Sequence, residues 1–176
     1  MKFSKPFEKC GFCWTDENVE IWYENVKVPL KYRIDTKPGD GAKIIYGYVI
    51  GLGRLAGAAR LTGLATACLE IALEWTKNRY IAGKPVRERS AFAMILAEMY
   101  RMIDLSRQYY LSVTWQVMHP EIYGEHWSLQ MLAKYSAARS FAGDTAMFVT
   151  NKAMELMGSY GYTFEMNVEK YYRDFK

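Results

Sequence analysis

Histidine, cysteine and proline are scarce in this sequence of 176 residues, which has two, three and five of them respectively. That scarcity narrows the metal chemistry available. Cys10-Gly-Phe-Cys13 is a C-x-x-C pair of the kind that forms half a zinc site or a redox couple. The further ligands would have to come from Cys68, His119 and His126, with no second close pair at metal spacing. Small strand or turn residues are the simpler reading of the pair, and an odd cysteine count in an expected cytoplasmic setting disfavours structural disulfides. The 23 lysines and arginines outnumber 19 acids by only four and form no basic run, which argues against nucleic acid. No apolar stretch follows the lysines of the opening "MKFSKPFEKCGFCW", so it does not read as a secretory signal, and a cytoplasmic protein is expected. The longest apolar region, 44 to 73, is interrupted by Arg54 and Arg60, each costly at bilayer depth, so no membrane span is expected. Low-complexity tracts and short-period repeats are absent too, which argues against a disordered chain.

What remains is a chain half apolar and a quarter charged, long enough to bury a core. The first forty residues read as strand and loop: Val19, Ile21 and Tyr23 alternate, Val26 and Val28 precede Pro29, and "DTKPGDG" is a loop signal. From about Ala42 to Asn78 there is no proline, and Leu61, Leu64, Leu69, Ile71 and Leu73 lie among alanines, which predicts a long helix ended by "AGKP". A second helical pattern spans about Glu88 to Met118, with Phe92, Ile95, Leu96, Met99, Met102, Ile103, Tyr110 and Val113 near a 3.6 period. A third runs over roughly 122 to 157, with Leu129, Leu132, Tyr135, Phe141, Phe148 and Leu156 on its apolar face, and "VEKYYRDFK" begins something new. The expected fold is mainly α: an up-and-down bundle of three long helices, its fourth helix missing or barely begun, behind a short β remnant. The expected division is 1–38 for the remnant and 39–176 for the bundle.

One stretch tests that assignment. "IIYGYVIGLGRLAGAAR" could be a strand entering Gly51-x-Gly53-x-x-Ala56, the phosphate-gripping turn of a dinucleotide fold. Such a turn needs a second strand carrying an acid about twenty residues on, and Glu70 and Glu74 lie instead in "ACLEIALEWTKNR", which is helical in pattern. The glycines at 47, 51, 53, 57 and 63 are therefore read as small helix residues that admit a close neighbour. Each costs about 1 kcal/mol of helix propensity, which packing must offset.

Taken together, "YENVKVP", "GDGAKI", "GRLAGAARLTGLATACLEIALEW", "NRYIAGKPV", "LAEM", "AKYSAARSFAGDTA", "MGSYGY" and "VEKYYRDFK" resemble, in order, the C-terminal half of the acyl-CoA dehydrogenase family. The resemblance implies the last strands of a β-domain followed by a helical bundle, in a family of FAD enzymes that usually assemble as tetramers. It implies a reaction in which a carboxylate removes the proton alpha to a thioester while hydride leaves the beta carbon for the flavin.

The family's base is a glutamate either just beyond the "YYRDFK" segment or on the first bundle helix beside an arginine, where this sequence has Gly53 next to Arg54. Losing a general base costs 10² to 10⁴-fold in rate, so no catalytic residue is assigned within the chain. Arg54 is the candidate base-orienting residue, expected to be buried against a partner carboxylate.

For FAD, the resemblance points to Arg79, Gly83, Ser90, Glu155, Gly158 and Ser159. Arg79, Gly83 and Pro85 match the family's pyrophosphate-binding segment, while Ala82 replaces an aromatic and Ser90 a glutamine. Glu155 stands where a second glutamine is usual, ahead of Gly158 and Ser159 in place of a glycine pair. A carboxylate 4 Å from a pyrophosphate charge is repulsive by about 1 kcal/mol in water-like surroundings and about 4 kcal/mol at an effective dielectric of 20.

Two function classes follow. One is a partial chain of an acyl-CoA dehydrogenase assembly, homo-oligomeric or completed by another chain that brings base and acyl pocket. The other is a non-catalytic bundle module for protein association that binds no flavin; a truncated product of a broken gene is a third possibility.

Overall fold

The computed structural model describes residues 1–11, 17–34, 37 and 39–175. Strands β1 (Lys2–Phe3) and β2 (Ile21–Trp22) pair antiparallel, Lys2 opposite Trp22 and Phe3 opposite Ile21. The alternation at Val19, Ile21 and Tyr23 thus yields less strand than expected, and Val26 and Val28 lie in irregular chain. Alternation makes a strand where one face is covered. Here Tyr23 and Val28 are each 66% exposed, so among the described residues nothing rewards extending the ladder.

From Asp40 the chain is helical without interruption to Asn78. It begins with one turn, α1 (Asp40–Lys43), passes through a π-helical segment, Ile44–Leu52, and continues as α2 (Gly53–Asn78). The dinucleotide turn is thereby excluded, since Gly51 and Gly53 sit inside a helix. A hairpin of β3 (Tyr80–Ile81) and β4 (Lys84–Pro85) leads to α3 (Ser90–Val117), which matches the expected second helix. The third begins later than its pattern suggested. Pro120–Tyr123 forms a single turn, α4, and Gly124 at φ 82° ends it. Helix α5 (Leu129–Met157) then starts where Ser128 Oγ accepts the Met131 N–H at 3.3 Å, an N-cap bond. Leu129, expected on the apolar face, is 84% exposed. After two 3-10 turns, α6 (Val168–Phe175) opens a fourth helix whose Val168 is fully buried in the main core.

Helices α2 and α5 run parallel, with α3 antiparallel between them in sequence. Arg54 bonds Ser136 and Cys68 bonds Thr150, both at a separation of 82 residues, so the two helices keep one register along their length. Alanine makes this possible. Ala58, Ala65 and Ala72 of α2 recur every seventh residue, and they share a core with Ala142, Ala146 and Ala153 of α5, all at 0% exposure. Small side chains shorten the distance between helix axes, while α3 supplies the bulk through Leu96, Met99 and Ile103. A smaller cluster of Leu55, Val113, Met131, Tyr135 and Ala138 closes the other end.

The helical glycines divide into two groups. A Cβ on Gly47 would come within 2.9 Å of Trp127, one on Gly57 within 2.9 Å of Arg139, and one on Gly51 within 2.9 Å of the Tyr135 ring. These three serve close packing as expected. Gly53 and Gly63 do not, for a Cβ there meets nothing within 4 Å. By length and composition alone, Asp40–Asn78 could cross a bilayer. Its buried residues instead go to the bundle core.

Gly63→Ala should stabilise the protein by about 1 kcal/mol, whereas Gly51→Ala should cost about 1–3 kcal/mol through overpacking. Urea unfolding separates them by the sign of the midpoint shift. Burial pushes the Cys68 thiol up to about 11, partly offset by its bond to Thr150. An unfolded thiol ionises at about 8.5, so between there and pH 11 the unfolded chain binds fewer protons and stability falls as pH rises, by at most about 1.4 kcal/mol per unit. Comparing the protein with Cys68→Ala across that window isolates the effect, because the variant should lose the thiol's share of the slope.

Candidate cofactor-contact site

Arg79 follows the last turn of α2, where its N–H donates to the Trp75 carbonyl at 2.9 Å. Its own carbonyl accepts the Val86 N–H at 2.8 Å, which pins it at the root of the β3–β4 hairpin. The two turn residues, Ala82 and Gly83, have φ of 48° and 77°. Positive φ at both central positions is the type I′ arrangement that two-residue hairpins favour. Gly83 is therefore accounted for by the turn. Ala82 takes a left-handed conformation that costs an L-residue about 1–2 kcal/mol. The Arg89 guanidinium donates to the Ile81 carbonyl and ties the hairpin to the start of α3. Ser90, the first residue of α3, is exposed and its hydroxyl caps nothing.

The parallel course of α2 and α5 brings their C-terminal ends together. Gly158 caps α5 at φ 60°, and the chain then folds back so tightly that a Cβ on Gly161 would lie 2.7 Å from the Met154 carbonyl oxygen. Between the two ends lies a groove of about 300 Å³. Trp75, Arg79, Glu155, Gly158, Ser159 and Tyr160 are among the residues that line it. Four of the six sequence-derived candidates thus meet there; Gly83 and Ser90 are not among its lining residues.

Among the described residues the Arg79 side chain has no hydrogen-bond or ion-pair partner, so its donors are available to an anion. Glu155 is already partnered. Lys152 Nζ lies 2.7 Å from its Oε2, which offsets the negative charge that would oppose such an anion. The Trp75 and Tyr160 rings, with centroids 4.9 Å apart, give the groove an aromatic wall. Sequence reasoning named none of Lys152, Trp75 and Tyr160, although the i,i+3 spacing of Lys152 and Glu155 was a usable signal.

Arg54 requires a correction. It is exposed, and its Nη1 donates to the Ser136 hydroxyl at 3.0 Å rather than meeting a carboxylate within the chain. The cause is position, since the residue lies on the edge of α2 that faces a serine of α5. Neighbouring Gly53 points into open space. The candidate metal ligands do not converge: Cys68 is in the core beside Thr150, and His119 Nδ1 is 2.8 Å from the Trp115 carbonyl. His126 packs between Tyr48 and Trp127. Cys13 lies outside the described residues, and among those described no group of three or more His, Cys, Asp or Glu could hold a metal.

Residues 39–176 match the family model for the acyl-CoA dehydrogenase C-terminal domain. The chain belongs to the acyl-CoA dehydrogenase family. It is 34% identical to a glutaryl-CoA dehydrogenase of Desulfococcus multivorans over 155 residues, covering 88% of this chain and 38% of that protein. A short-chain-specific acyl-CoA dehydrogenase of Megasphaera elsdenii is 30% identical over 174 residues, covering 99% of this chain and 43% of its own. The solved structure of butyryl-CoA dehydrogenase from Megasphaera elsdenii superposes with a TM-score of 0.81 at 27% identity, over 99% of this chain and 43% of that one. The helical bundle is thus the family's C-terminal domain, and the chain spans about two fifths of the length of these relatives.

The turn geometry generates a prediction. Asn tolerates positive φ far better than Ala, so Ala82→Asn should raise stability by roughly 1 kcal/mol. Thermal unfolding reads this as an increase of about 2–4 °C in Tm.

Proposed function

We propose that these 176 residues serve an FAD-dependent acyl-CoA dehydrogenase as its C-terminal bundle and part of its FAD contact, the acyl pocket and general base coming from outside them. The observation that carries this reading is the unpaired Arg79 guanidinium sharing one groove with Gly158 and Ser159. A groove of about 300 Å³ is at the lower limit for a small-molecule site, which suits a pyrophosphate and not a whole dinucleotide. Bound FAD would supply the hydride acceptor. The chain's own residues would do simpler work: Arg79 would hold the pyrophosphate through its planar fork, and the Ser159 hydroxyl could donate beside it. Lys152 would keep Glu155 from repelling it.

Assembly belongs to the same proposal. Met94, Tyr100 and Trp115 of α3 are 71%, 62% and 50% exposed, and large apolar side chains along one helix favour a covering subunit. The competing reading, a bundle that associates without flavin, draws on Gly53, which puts no carboxylate at one of the two positions where the family carries its base.

Flavin titration of the assembled protein tests the contact. Arg79→Gln should weaken FAD binding about tenfold, the scale of one charge-assisted bond of 1.5–3 kcal/mol. Glu155→Gln should leave binding equal or tighter. If neither variant changes affinity, the groove is not the FAD contact and the non-catalytic reading gains.

A further inference from the structure

Helix α3 turns one face into the bundle, where Leu96, Met99, Ile103, Ser106 and Val113 are buried. On the opposite face Met94, Glu98, Arg101, Leu105 and Gln108 are all exposed, and they are spaced alternately by four residues and three. That alternation repeats every seven residues, which keeps a stripe in line with a neighbouring helix over several turns. Met94 and Leu105 are 71% and 50% exposed. Beside Met94 the small side chains of Ala91 and Ala97 leave a hollow of about 670 Å³, which Glu98 and Arg101 also line.

The stripe is complementary to itself. Apolar Met94 and Leu105 stand outermost; acidic Glu98 lies four residues in from one, and basic Arg101 four residues in from the other. A two-fold axis crossing α3 between Met99 and Tyr100 therefore sets Glu98 of each copy opposite Arg101 of the other, and Met94 opposite Leu105. Other pairings match less well. Parallel helices would lay Glu98 on Glu98 and Arg101 on Arg101, with like charges directly opposed. Sliding the antiparallel pair by one heptad would set Glu98 against Gln108 and Arg101 against Leu105, so that neither charge is matched. Within one chain Arg101 Nη2 lies 3.2 Å from Glu98 Oε1, and an exposed pair of this kind contributes little alone. Around the axis two such pairs form a ring of alternating charge, because the arginine fork has donors for a second carboxylate.

We propose that the outer face of α3 is a docking surface for a second copy of this chain, antiparallel across a two-fold axis, with Glu98 and Arg101 reciprocally paired and Leu105 seated in the hollow beside Met94. The overlap, Ala91 to Gln108, is about 26 Å long at 1.5 Å per residue. The inference rests on the assembly reading given above, to which it adds one surface, one symmetry and one register; it makes no demand on the Arg79 groove.

Charge reversal tests the pairing in the intact protein, with association measured by sedimentation equilibrium and folding by circular dichroism. Glu98→Arg and Arg101→Glu should each weaken self-association at least tenfold, since each sets like charges across the axis. Mixed one to one, the two variants should associate with each other about as tightly as the parent chain with itself, because the arginines of one then face the glutamates of the other. Repulsion within a single helix cannot produce that rescue. Should a reversed variant unfold, Leu105→Asp, at an exposed position, leaves the charge pair in place and puts a carboxylate into the hollow, with the same tenfold loss expected. Unchanged self-association in the folded variants overturns the interface, and so does a mixture that associates no more tightly than its components. Where the parent chain still associates, those results leave the assembly reading standing on another surface. A parent chain that is monomeric at every concentration fails that reading and this interface together.

Discussion

The close parallel contact between α2 and α5 is the constraint on which the rest of the molecule depends. It exists because both helices present alanine to the seam, at 58, 65 and 72 on one side and 142, 146 and 153 on the other. A repeat of seven residues keeps a helical face in line with its neighbour over several turns. Larger side chains at these positions would hold the axes apart. Gly51 could not then receive the Tyr135 ring, and Arg139 could not cross α2 at Gly57.

The candidate cofactor groove derives from that contact. Parallel helices of similar length finish at the same level, so the end of α2 with Arg79 and the end of α5 with Glu155 and Gly158 stand side by side without a long loop to join them. Further back, the same seam brings Arg54 to Ser136. An antiparallel pairing would have placed the C-terminus of one helix against the N-terminus of the other. The polar bonds across the bundle fix this arrangement more than they add stability. Thr62 to Ser106 at 2.8 Å and Arg54 to Ser136 at 3.0 Å are worth about 1 kcal/mol each by ordinary accounting, yet a slip of register would break both.

The three long helices were legible because apolar residues recur near the helical period and because glycine and proline punctuate them. The composition of the core was less so. Leucines draw attention in a sequence, yet Leu73 and Leu129 are exposed while alanines carry the tightest contact. An alanine offers periodicity no contrast, since it is at home on either face of a helix. Family resemblance indicated Arg79, Glu155, Gly158 and Ser159, and the groove unites them; it could not foresee that Lys152 neutralises Glu155 or that Gly83 belongs to a turn. Arg54, expected to be buried, is exposed, because an apolar neighbourhood in sequence need not surround a residue in space. The short strands had the right alternation, and among the described residues no surface covers them.

The π-helical segment at Ile44–Leu52 changes the winding of the long helix just before it enters the alanine seam. Its i→i+5 bonding encloses one residue more in each hydrogen-bonded ring than α bonding does. Side chains before Gly53 therefore follow a different angular spacing from those of α2, and there Gly47 meets Trp127 and Gly51 meets the Tyr135 ring. One continuous helix thus offers its neighbours two surfaces, glycine against aromatic rings at its entry and alanine against alanine behind it.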